Sequence, residues 1–148
     1  QVLKLQDKYP INKLTHPKRG KKDYSKLQVG KRYIECLNKY ICCLGTDACK
    51  LPYIVKKFFE IPISGSLLLA GLSNEQTKIE MEKLGFIDME TCIFANSENI
   101  HEKIEFILDK NNRDIVDNIR KRGQHLVLNN HLHSHRVTVV ESIIDEYL

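Results

Sequence analysis

Three short apolar runs constrain this chain more than any other feature. They are Tyr40-Ile41-Cys42-Cys43-Leu44, stopped by Gly45; Ser66-Leu67-Leu68-Leu69-Ala70, stopped by Gly71; and Cys92-Ile93-Phe94, at the centre of residues 90–95. Each is too short for a helix and apolar at successive rather than alternate positions. That is the signature of strands buried on both faces, as in a parallel sheet covered by helices. The segments between the runs carry helical period and helical boundary signals. Residues 53–61 read as a helix closed by Pro62 and Gly65, and Ser73 or Asn74 caps another through about Leu84, with Gly85 as its stop. Ser97 opens a helix with Ile100, Ile104, Ile107 and Leu108 in period. A helix from Asn112 carries Ile115, Val116 and Ile119 and ends at Gly123. A last helix runs from about His133 to Leu148, with Val137, Val140, Ile144 and Tyr147 inward. Residues 29–39 add a short helix with Tyr33, Ile34 and Leu37 on one face, and Thr46 to Pro52 reads as a loop. Alternating strands and helices of these lengths predict an α/β fold with a parallel sheet and helices on both faces.

The 148 residues fit one domain, long enough to bury a core without staples. No apolar run has the length to cross a bilayer, and no signal-peptide pattern is visible, so no transmembrane segment is expected. The chain begins at Gln1 and is expected to be a piece of a longer protein. Its five cysteines, Cys36, Cys42, Cys43, Cys49 and Cys92, include no Cys-x-x-Cys and no zinc-type Cys/His spacing. They read as small buried hydrophobes in a reducing compartment, which makes the expected location cytoplasmic.

Charge is uneven. Residues 1–32 hold ten Lys/Arg against two Asp/Glu, a net of +8, whereas the remainder holds thirteen against seventeen, a net of −4. With Pro10, Pro17 and Gly20, residues 1–25 read as irregular, with a turn over 16–20. The expected division is a basic irregular lead-in or linker over 1–32 and a folded domain over 33–148. A basic segment can face nucleic acid, but this one lacks the interleaved aromatics of a single-strand platform, so nucleic acid is not the expected partner. His131 and His135 share the i, i+4 spacing of a metal pair, but no glutamate completes a metalloprotease motif and no metal is expected. No Ser-His-Asp or Cys-His arrangement for nucleophilic catalysis is evident.

In an open parallel sheet, ligands bind beyond the carboxyl ends of the strands. Two loops are therefore the natural site, 45–52 and 70–75. The helix between them aims its N-terminus at the first loop, where backbone N–H groups favour a phosphate.

The stretch Tyr53-Ile54-Val55-Lys56-Lys57-Phe58-Phe59-Glu60-Ile61-Pro62-Ile63-Ser64-Gly65 followed by Ser66 to Ala70 resembles the C-terminal domain of group 1 glycosyltransferases of the GT-B architecture. Those domains carry a basic residue, a variable residue, Phe-Glu, a small-residue stretch ending in Gly, then a buried strand. Further matches follow in order: Glu75 after the strand, Leu84-Gly85-Phe86 before the third strand, Glu102-Lys103-Ile104, Asn112-Arg113, Ile119-Arg120, Gly123, His131 and Arg136. The resemblance covers residues 33–148, in a style similar to versions from large DNA viruses and microbes. One departure is Pro52, which stands where many relatives have a second carboxylate near the donor sugar; a branch of the family lacks it.

The resemblance implies a Rossmann-like domain, the C-terminal half of a GT-B glycosyltransferase, binding a nucleotide-diphosphate sugar in a cleft shared with a missing N-terminal domain. That half would carry the acceptor site, for a glycan or protein, and any catalytic base. The transfer would be hexosyl-type, this piece alone would be inactive, and no metal or other cofactor would be needed. Glu60 is implied to hold the ribose, since a carboxylate accepts from two vicinal hydroxyls. Lys57, then Lys50 and Lys56, would offer charge to the diphosphate, Thr46 would donate to a phosphate oxygen, and the loop ending at Glu75 would lie near the sugar. The last helix would pack back on the missing domain. No catalytic residue is assigned within this chain. The alternative is a non-catalytic Rossmann-like module that binds a nucleotide or a protein, in which Glu60 and Lys57 are ordinary surface residues. Gly65 and the pair Phe58 and Phe59 read as structural in either case.

Overall fold

The computed structural model describes residues 2–12, 30–47 and 53–147. Three strands, β1 (Cys42–Thr46), β2 (Leu67–Gly71) and β3 (Ile93–Ala95), form a parallel sheet in that order. Thr46 pairs with Gly71, and Gly71 with Ala95, so the carboxyl ends of all three strands are level. Around the sheet lie α1 (Val2–Lys8), α2 (Lys31–Asn38), α3 (Lys57–Ile63), α4 (Glu75–Lys83), α5 (Ile100–Leu108), α6 (Arg113–Asn130) and α7 (His133–Tyr147). This is an α/β domain with a generic Rossmann-like arrangement.

Successive strand residues point to opposite faces, and here both faces are covered. Leu67, Leu69, Ile93 and Ala95 pack with Leu5 and Tyr9 near α1, Ile104 and Ile107 of α5, and Val116 and Ile119 of α6. Leu68, Ala70, Cys92 and Phe94 pack on the other side with Leu37, Phe58, Ile61, Met81, Phe86 and Val127. α6 thus serves both layers, its first half one core and its second half the other. Its middle passes so close to the turn before β3 that a Cβ on Gly123 would lie 2.2 Å from the Thr91 carbonyl oxygen. Gly123 therefore does not end the helix, as its sequence position suggested; it permits the approach, and α6 continues to Asn130.

Other expectations are corrected for similar reasons. Gly45 does not stop β1 but lies within it, where an added Cβ would meet the Phe58 ring at 3.2 Å and Leu68 at 3.3 Å. β3 is confined to Ile93–Ala95; residues 90 and 91 are in a turn, and Cys92 makes an isolated bridge to Asp88. α3 starts at Lys57 rather than Tyr53 and takes in Pro62, whose missing N–H forgoes one helical bond to Phe58 O. α5 starts at Ile100 rather than Ser97, because Asn96 Oδ1 accepts from the N–H groups of Glu98 and Asn99 and turns the chain first. Leu108 and Ile115 are each half-exposed rather than core.

The reading of residues 1–25 as irregular is corrected over Val2–Lys8, which is helical. Leu5 and Tyr9 are buried, the Tyr9 hydroxyl donates to Glu105 Oε1 at 2.9 Å, and Lys8 Nζ lies 2.8 Å from the same oxygen. The turn expected at 16–20 lies outside the described residues. The largest correction concerns α7. Val137, Val140, Ile144 and Tyr147, expected to face inward, are 41–82% exposed, and the helix buries no residue. It leaves the domain at its base, where Arg136 lies over the Phe59 ring at 5.9 Å, and nothing among the described residues covers its apolar side chains. Among the described residues, no helix is long and apolar enough to cross a membrane.

Two predictions follow from this packing. In a helix interior, Gly→Ala ordinarily stabilises by about 1 kcal/mol; at Gly123 the sign should reverse, because the new methyl meets backbone. Gly123→Ala is expected to cost about 1–3 kcal/mol, read as a lower urea midpoint. The second concerns pH. Cys36, Cys42, Cys43 and Cys92 are free thiols, and burial pushes those of Cys42, Cys43 and Cys92 above the ordinary thiol range. The unfolded chain loses these protons first as pH rises, so the folded state is favoured less with each step above about pH 8.5. Under reducing conditions, the urea midpoint should be lower at pH 10 than at pH 7.5; equal midpoints would contradict the buried placement of these thiols.

Candidate functional site

The level strand ends at Thr46, Gly71 and Ala95 deliver three loops to one edge of the sheet. The first begins with Asp47, which is buried. Its carboxylate accepts the Ser73 N–H at 3.0 and 2.9 Å and the Ser73 hydroxyl at 3.0 Å, while its own N–H donates to the Gly71 carbonyl at 3.2 Å. In the second loop, the Leu72 N–H donates to Ala95 O at 2.7 Å, and Asn74 Oδ1 caps α4 by accepting from the Gln76 N–H at 2.8 Å. In the third, Asn99 Oδ1 accepts from the Asn96 N–H at 2.8 Å, completing the reciprocal turn described above.

Between the second and third loops is a cavity of about 290 Å³, walled by Ser73, Asn74, Glu75 and Lys78 on one side and by Asp88, Phe94, Asn96 and Asn99 on the other. Glu75 Oε1 and Lys78 Nζ are 3.3 Å apart; Asp88 accepts the Phe94 N–H at 2.8 Å and lies 3.6 Å from Lys103 Nζ. The carboxamide oxygens of Asn74, Asn96 and Asn99 are all spent on backbone N–H groups, which leaves each side chain its NH₂ as a donor. Donors and acceptors are thus interleaved, with two carboxylates against one ammonium in the wall. Lys78 and Lys103 offset Glu75 and Asp88, so such a lining offers hydrogen-bond donors and acceptors to a ligand with many hydroxyls and little net charge to attract a bare anion.

The residues singled out from the sequence fall into two groups. Lys56, Lys57 and Glu60 lie at the start of α3. Lys56 Nζ pairs with Glu60 Oε1 at 3.5 Å, the lysine side chain 88% exposed and the glutamate 28%. An ion pair this exposed is worth about 0–1 kcal/mol, so a ligand can displace it at little cost. Lys57 is exposed. Glu60 also faces Tyr33 of α2, whose phenol is raised above its ordinary value by burial and then by the Glu60 charge. The next residue along, Phe59, meets Phe86 and His131 edge-on at 5.6 and 5.3 Å, fixing this face of α3 against the body of the domain.

Glu75 belongs to the second group, on the cavity, and no ion pair or hydrogen bond among the described residues joins it to Lys56, Lys57 or Glu60. Thr46 ends β1 beside Gly71, where a Cβ would come within 3.1 Å of its methyl. Lys50 lies outside the described residues, as does Pro52. His131, half of the histidine pair, has its Nε2 2.8 Å from the Leu84 carbonyl oxygen and stacks on Phe86, and the His135 ring accepts from the Leu132 N–H, so both rings are engaged locally.

Asp47, Tyr33, Asp88, Asn96 and Asn99 were not reached from the sequence. Asp47 had a usable signal, a carboxylate placed directly after a buried strand. So did Asn96-Ser97-Glu98-Asn99, two turn-forming residues after another. Tyr33 and Asp88 had none, because their roles depend on tertiary neighbours. In comparisons with known proteins, no family model, no curated protein and no solved structure matches the chain.

Proposed function

We propose that this domain binds the nucleotide-diphosphate sugar of a glycosyltransferase reaction, as the donor half of a GT-B enzyme. The observation that carries the reading is the setting of Glu60. The glutamate of the Lys57-Phe58-Phe59-Glu60 stretch is half-buried on α3, held by a weak pair to Lys56, and belongs to the crossover that follows the carboxyl end of β1. A carboxylate so placed accepts hydrogen bonds from both ribose hydroxyls once Lys56 swings away. Lys56 and Lys57 then offer positive charge to the diphosphate, and such charge stabilises a leaving group more as its bond to the sugar breaks. The cavity with Asn74, Glu75, Asn96 and Asn99 supplies donors and acceptors for sugar hydroxyls. The acceptor and any catalytic base belong to the missing half, and the uncovered apolar side of α7 is a surface for that half to cover. This chain alone is then inactive, and its chemistry is the binding and orientation of the donor.

A second reading, a non-catalytic nucleotide- or protein-binding module, draws support from the same Lys56–Glu60 pair, which already engages the carboxylate. Calorimetric titration with UDP, GDP and their common sugar conjugates separates the two. Loss of charged hydrogen bonds worth roughly 1.5–3 kcal/mol should make Glu60→Ala bind about ten- to a hundredfold more weakly. Equal binding by the variant, or no binding by a folded protein that includes the upstream half, refutes the donor reading.

A further inference from the structure

The loop between β2 and α4 is only three residues long, 72–74, yet it is fastened from both sides. Toward β3 the fastening is backbone, Leu72 N–H to Ala95 O at 2.7 Å. Toward β1 it is a side chain, the Asp47 carboxylate, with three contacts to Ser73 at 2.9–3.0 Å. Asp47 is 8% exposed, and no cation pairs with it among the described residues. A buried carboxylate is costly unless its hydrogen bonds are made, and a neutral acceptor would hold one N–H with less desolvation. What the carboxylate adds is two oxygens accepting at once through strong, charge-assisted bonds, that is, stiffness.

The position of this stiff link matters. Asp47 directly follows β1, and Ser73, which it holds, adjoins Asn74 and Glu75 in the cavity wall. We propose that Asp47 is a positioning residue that holds the wall of the cavity formed by Ser73, Asn74 and Glu75 in place through its bonds to Ser73. The inference rests on the nucleotide-sugar reading, in which the nucleotide lies against α3 and the sugar enters the cavity. A ligand whose sugar lies against that wall depends on its position, whereas a nucleotide held at α3 alone does not.

The test compares UDP with UDP-glucose, and GDP with GDP-mannose, on the full-length protein carrying Asp47→Asn or Ser73→Ala. Asp47→Asn keeps one accepting oxygen and loses the other. It should weaken the sugar conjugate that the wild type binds by about tenfold while changing the matching nucleotide less than about twofold, and should speed hydrogen exchange at the Ser73 amide. Ser73→Ala removes only the hydroxyl bond and should show the same selectivity at about two- to threefold; it carries the test if Asp47→Asn does not fold. Equal losses for nucleotide and conjugate, or no loss for either, overturn the proposal alone. A wild-type protein that binds none of the four probes overturns the nucleotide-sugar reading and this proposal with it.

Discussion

The sheet has no solvent-facing side, and the rest of the structure follows from that. Leu67 and Leu69 point one way and Leu68 and Ala70 the other, and all four are buried. Each face is covered by helices drawn from the segments between strands, and these long crossovers join parallel strands where hairpins would join antiparallel ones. With its faces closed, the sheet can offer a ligand only its ends. The level register at Thr46, Gly71 and Ala95 makes the carboxyl end a single edge, where three loops meet.

At that edge, the polar groups are used to fix loops as much as to await a ligand. Asp47 holds Ser73, Asn74 caps α4, and Asn96 and Asn99 hold each other's turn. Because these carboxamide oxygens are taken by backbone N–H groups, each of these asparagines lining the cavity keeps its NH₂ as a donor, so the same bonds that order the loops bear on the chemistry of its wall. The opposite situation holds at α7, where the described residues supply no surface for Val140, Ile143, Ile144 or Tyr147. A helix rich in β-branched residues is a weak helix former on its own, and covering its apolar residues would stabilise it.

The parallel sheet was legible in the sequence because a doubly buried strand leaves an unambiguous trace, and Leu67-Leu68-Leu69-Ala70 is such a trace. The cap at Asn74 and the left-handed stop at Gly85, with φ of 86°, were legible for a similar reason, since local geometry dictates the residue. Gly45 and Gly123 misled because a glycine that ends an element and one that admits a neighbour look alike in sequence. Only Phe58 and Thr91, distant along the chain, tell them apart. The apolar period of α7 was real, but period records that a face is apolar, not what covers it. For the candidate site, Lys56, Lys57 and Glu60 were singled out through their motif and Glu75 through its loop. Asp47 had a local signal in its place after a buried strand, but its role did not, since its partner, Ser73, is 26 residues away and the strand register brings them together.

The central claim is that the carboxyl edge of this sheet is where a nucleotide sugar binds. Backbone amide shift mapping by NMR, with UDP-glucose or GDP-mannose added to isotope-labelled protein, tests it most directly. The account predicts that the largest shifts fall at Thr46 and Asp47, at the start of α3, over 72–75 and over 96–99. Shifts concentrated instead at the opposite end of the strands, around Asn38, Gly65 and Asp109, would contradict it.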